Sequence, residues 1–148
     1  GWWSIRRDGP FEKDGIPYFL FSYDGLLPPY SEERKYITAI RDHYLTVTLA
    51  QYEWPKIHFR FDRAAILIIY FFKSLRVRDL DNRNRKYLID AIKKTRIIND
   101  DNWQTVTLIE KGIFSNHDDH IKVYVLDERY LPEFLALNEF ITGKNDNR

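Results

Sequence analysis

Residues 64–72 (AAILIIYFF) are nine apolar residues without a break. A strand with one face in water alternates apolar and polar positions. A run with no polar position, rich in β-branched and aromatic types, therefore predicts a central strand covered on both faces. The run is far short of the ~20 residues that cross a bilayer. With 148 residues, 44% of them hydrophobic, the chain can bury one sizeable core around that strand and forms one globular domain.

The remaining pattern supplies the elements around it. Residues 1–15 read as an N-terminal extension with turn signals at Asp8-Gly9-Pro10 and Asp14-Gly15. Pro17 to Tyr23 predicts a strand, followed by a connector stiffened by Pro28 and Pro29. Ser31 is placed to cap a helix with Glu32 and Glu33 in its first turn. Tyr36, Ile37, Ile40, Tyr44 and Val47 keep its period until it fades near Gln51. A second helix is expected from Asn82 to Thr95, with Leu88, Ala91, Ile92 and Thr95 on one face. Arg83, Lys86, Asp90, Lys93 and Lys94 fall on the other. Thr105 to Glu110 and Ile121 to Leu126 read as two strands, the second with Ile121, Val123 and Val125 inward. Pro132 opens a terminal helix carrying Leu131, Phe134, Leu135 and Ile141, with Gly143 as its stop. The expected fold is a single α/β domain: a mixed sheet of about four to five strands, two main helices and a C-terminal helix. The domain runs over 16–143 and leaves a polar tail at 144–148.

The chain has no cysteine, which excludes disulfides, zinc ribbons and thiol catalysis. Methionine is absent too, so Gly1 follows a removed start Met, is a cloning scar or marks a domain cut from a longer protein, the last being preferred. No signal peptide or membrane span is visible, so the expected location is the cytoplasm. Net charge is only +1, but it is unevenly spread. Between Lys56 and Asn99 twelve Lys or Arg face four Asp, a window of +8 in which the acids cluster. Basic surroundings suit a polyanionic partner.

Asp79-Leu80-Asp81-Asn82 precedes the second helix and Asp100-Asp101 follows it. Taken singly, each piece has an ordinary explanation. Asp81 or Asn82 can be an N-cap, Asp100-Asp101 a solvated turn, and Asp90 a partner for Lys86 or Lys94 one helical turn away. Together they make a pattern: D-x-D-N, Lys86 five residues after the second Asp, Asp90 four residues on, and D-D ten beyond. The stretch RDLDNRNRKYLIDAIKKTRIINDDNWQ resembles the RusA family of Holliday junction resolvases. The resemblance implies that Asp79, Asp81 and Asp101 are catalytic and bind Mg²⁺, with Mn²⁺ able to substitute. It matches Lys86 to the family's helix lysine and Asp90 to its helix Asp. One residue more than the usual spacing separates Asn82 from Lys86, so Arg85 competes for the lysine role. Lys86 is preferred because its distance to Asp90 fits.

The chemistry supports this assignment. Carboxylates suit hard divalent cations, which acidify a nucleophilic water and stabilise a leaving oxygen. Three clustered acids repel one another unless a cation neutralises them. Asn82, Asp90 and Asp100 stand as supporting residues. Lys86 is placed to act on a phosphate, and Arg76, Arg78, Arg83, Arg85, Lys93, Lys94 and Arg96 as contacts to a DNA backbone. The expected function is a Mg²⁺-dependent endonuclease that resolves four-way junctions by paired nicks, as a homodimer by resemblance. The alternatives are a nuclease domain of a larger protein acting on other branched nucleic acid, or a non-catalytic DNA-binding module of the same fold. His117-Asp118-Asp119-His120 reads as a hairpin loop before it reads as a metal site. Trp2, Trp3 and Trp103 read as packing residues, although Trp103 is close enough to the acids to line a site.

Overall fold

The computed structural model describes residues 6–28, 31–74, 84–99 and 105–143. Its five strands are β1 (Phe11–Lys13), β2 (Ile16–Asp24), β3 (Ala64–Phe72), β4 (Val106–Phe114) and β5 (His120–Asp127). They form one mixed sheet in the order β1-β2-β5-β3-β4. The apolar run is β3, an interior strand whose residues from Ala64 to Tyr70 are all at most 1% exposed. Alternation divides it between two cores. Ala64, Ile66, Ile68 and Tyr70 face the side covered by helices α1 (Arg34–Leu49) and α2 (Lys86–Lys94). Ala65, Leu67 and Ile69 face Phe134 and Ile141, from the short helices α3 (Leu131–Leu137) and α4 (Glu139–Thr142). Each fully buried Ile or Leu contributes about 1.5–3 kcal/mol, so this one strand anchors both layers. The fold is the single α/β domain expected, with two main helices and a short C-terminal helical segment.

The topology departs from the sequence in one important place. β4 pairs parallel to β3, and α2 belongs to the crossover that such a pair requires. β5 pairs antiparallel to both β2 and β3. β4 and β5 therefore flank β3 and do not pair with each other. The 117–120 segment is a bridge across the end of β3, not the hairpin loop expected. Asp119 accepts the Lys73 N–H at 2.8 Å, its carbonyl accepts the Gly25 N–H at 2.8 Å, and Asp118 pairs with the Lys73 ammonium at 3.3 Å. His120 already belongs to β5 and stacks on Phe71, ring centroids 4.4 Å apart. Alternation identifies a strand and its inward face, but not which strand it joins. It also undercounts here: Tyr124 and Leu126 are buried on the opposite face from Ile121, Val123 and Val125.

Smaller differences concern element ends. Asp14 and Gly15 both have positive φ, 50° and 81°, which makes the two-residue turn of a β1–β2 hairpin. Part of the N-terminal extension is thus an edge strand. The first main helix starts at Arg34, not after Ser31, whose hydroxyl accepts the Glu33 N–H at 3.2 Å in a turn before the helix. The second starts at Lys86, with Arg85 as its N-cap and the Asn84 side-chain oxygen accepting the Lys86 N–H at 3.2 Å. The C-terminal helix breaks at Asn138, whose side chain donates to the Phe134 carbonyl at 2.8 Å. Among the described residues no helix is long and apolar enough to cross a membrane.

Candidate active site

Asp79, Asp81, Asn82, Asp100 and Asp101 lie outside the described residues, as do Arg76, Arg78, Arg83 and the tryptophans 2, 3 and 103. What the structure fixes is where their segments begin and end. The first segment leaves after Ser74, at the C-terminal end of β3, and returns at Asn84, whose N–H donates to the Pro28 carbonyl at 3.1 Å. The second leaves at Asn99, whose amide donates to Asp62 at 3.1 Å, beside a bridge between Phe61 and Ile98. It returns at Thr105, whose carbonyl accepts the Ala64 N–H at 2.8 Å.

In sequence the two pairs of acids fall on either side of α2, a helix about 13 Å long at 1.5 Å per residue. Asp81 is three residues from Asn84 and Asp101 two from Asn99. Extended chain spans about 10 Å and 7 Å over those intervals. The donor set, carboxylate oxygens alone, suits Mg²⁺ or Mn²⁺.

At the start of α2 the structure separates Arg85 from Lys86. Arg85 is drawn onto the sheet, its guanidinium 2.5 Å from one oxygen of Glu110 on β4. The other Glu110 oxygen accepts the Tyr70 hydroxyl at 2.6 Å. The Glu110 side chain is only 14% exposed, and that of Arg85 31%. Burial, with the hydrogen bond to Glu110 next in weight, pushes the Tyr70 phenol far above its ordinary value. Lys86 is exposed, its ammonium 5.8 Å from the centre of the Tyr87 ring. Asp90, half-buried one turn on, forms no ion pair with Lys86 or Lys94. Lys86 thus faces solvent at the end of the segment that carries Asp79 and Asp81, whereas Arg85 is engaged in an ion pair.

Glu110 and Tyr70 were not singled out from the sequence. They meet Arg85 only because β3 and β4 pair in parallel, which joins residues 40 apart in the chain. The available signal was one acid closing the expected strand VTLIE. At the far end of α2, Lys93, Lys94 and Arg96 line a cleft against α1. Among the described residues no three metal-binding side chains come together, the 117–120 segment included.

The chain matches no protein-family model and no curated protein in the comparisons made. The resemblance to RusA resolvases rests on the motif residues themselves.

Proposed function

We propose that this protein is a Mg²⁺-dependent endonuclease that cuts branched DNA, with four-way junctions as its substrate. One observation carries the reading. The D-x-D and D-D segments flank a single crossover helix that presents Lys86 at its start and Lys93 and Lys94 at its end. Bound at Asp79, Asp81 and Asp101, the cation supplies a more acidic water and charge stabilisation at the leaving oxygen. Lys86 acts on the phosphate beside it, where a fixed positive charge counts most as negative charge develops. Asn82, Asp90 and Asp100 stand as supporting residues of the site. Cutting two opposed strands needs two equivalent sites, which a symmetric homodimer supplies.

The test is incubation with an end-labelled synthetic four-way junction, with and without Mg²⁺. Paired nicks that need the metal are the expected result. Asp79→Asn, Asp81→Asn and Asp101→Asn should each abolish cleavage while junction binding holds or tightens, because one carboxylate fewer repels the phosphates less. Activity above a few per cent of wild type in all three variants would refute the site.

A further inference from the structure

The cleft between α1 and α2 gathers more charge than the sequence reading assigned to it. It has a volume of about 690 Å³ and brings together five cations: Arg41 of α1, Lys93 and Lys94 of α2, Arg60, and Arg96 in the turn after α2. Asp90 is the one acid among its described lining residues. Arg41 lies outside the Lys56–Asn99 window, and Arg60, although counted within it, was not among the residues expected to contact DNA.

Arg96 shows that the cleft is built and not a chance meeting of surface charges. Its φ is +67°, the left-handed region in which a helix usually ends with glycine. The turn closes with the Arg96 N–H on the Lys93 carbonyl at 3.1 Å. The Arg96 carbonyl then accepts Arg60 Nε at 3.1 Å, a bond that uses one of the guanidinium's five donors. Strained backbone under a long charged side chain is a mark of function when the surroundings enforce it. Here Arg60 and the Phe61–Ile98 bridge do so. Asn99, also on the cleft wall, is the residue before Asp100-Asp101.

We propose that this cleft holds the sugar–phosphate backbone of a duplex DNA arm beside the cleaved strand, with Arg41, Arg60 and Arg96 as phosphate contacts. The proposal rests on the nuclease reading above and extends it to a binding surface distinct from the acids. Five cations drawn from two helices, the turn after α2 and the segment before β3 suit a run of phosphates better than one small anion. The Arg41 guanidinium, 5.9 Å from the Tyr87 ring, is further steadied by that contact.

The experiment is fluorescence anisotropy with a labelled four-way junction in EDTA, across 50 to 200 mM salt, for the wild type, Arg41→Ala, Arg60→Ala and Arg96→Gly. Arg96→Gly is the most informative variant, because glycine adopts the left-handed turn without strain. It should keep or raise the melting temperature and still bind more weakly, which separates binding from folding. Each variant should lose roughly three- to tenfold in affinity and flatten the salt slope by about 0.9 per lost phosphate contact. Wild-type affinity and slope in all three would overturn the cleft, as would tighter binding of an equivalent RNA duplex arm than of the DNA arm. Cleavage by the same wild type in Mg²⁺ is scored separately. Cleft-dependent binding without any cleavage would uphold the cleft and reject the nuclease reading.

Discussion

Arg85 and Lys86 are neighbours in sequence with opposite surroundings. Arg85 sits against Glu110, itself held by Tyr70, while Lys86 points to water. From the motif alone, Arg85 was expected to contact DNA. The ion pair gives it a structural duty as well: it ties the start of α2 to β4. Arg85→Ala should therefore lower stability, by about 1–3 kcal/mol, because Glu110 is left partly buried without its partner. Tyr70→Phe should cost about 1 kcal/mol for its hydrogen bond, and the pair of variants should be non-additive because both act through Glu110. Lys86→Ala should change stability by less than about 0.5 kcal/mol and slow single-turnover cleavage with a lesser effect on binding. Urea unfolding beside single-turnover kinetics decides the division. A stable but inactive Arg85→Ala would show that the extra residue in the motif lies after Arg85, and the helix alignment would have to shift.

At the scale of elements, the open edge of β2 has an unusual closure. β1 covers β2 only from Ile16 to Tyr18. Beyond it the Tyr52 hydroxyl bonds both the N–H and the carbonyl of Leu20, at 2.9 and 2.8 Å. The Gln51 side-chain amide does the same for Ser22, at 2.8 and 3.1 Å. Two side chains just past the end of α1 thus imitate a missing strand and leave less of the edge free to pair with another chain. Tyr52→Phe should cost about 1–2 kcal/mol for the two bonds lost. It should also promote self-association, seen as a rise in light scattering at concentrations where the wild type stays dispersed. Unchanged stability and scattering would remove the edge-closing role. Neither residue was legible as such: Gln51 read as the fading end of a helix, Tyr52 was not singled out, and their targets lie about 30 residues earlier.

For the whole molecule, two conditions probe the charge balance. On the proposed function, Mg²⁺ binds the folded acids and not the unfolded chain, so it should stabilise by RT ln(1 + [L]/Kd), about 2.7 kcal/mol at a hundredfold excess over Kd. That gain should vanish in Asp81→Asn, and a wild type whose melting temperature ignores Mg²⁺ would count against the metal site. Alkaline pH acts on the core. Burial raises the phenols of Tyr44, Tyr52 and Tyr124 to about 12, and those of Tyr23 and Tyr70 further. Between the ordinary value of 10.0 and those folded values the unfolded chain loses protons that the folded chain keeps. Stability should thus be complete below pH 10 and fall as pH rises towards 12. Denaturant midpoints measured across pH 8 to 12 should follow that descent.

The sequence determined β3 outright, because nine consecutive apolar residues have no stable place except between two covered faces. It also determined the buried stripe of α2, since Leu88, Ala91 and Ile92 recur at helical period. The carboxylate pattern was legible because it is local in the chain. Tertiary structure decided what is not local: that β4 and β5 take opposite sides of β3, that Glu110 claims Arg85, and that Arg41 and Arg60 join Lys93, Lys94 and Arg96. Periodicity records which face of an element is buried. Only the pairing of strands and the packing of helices records against what.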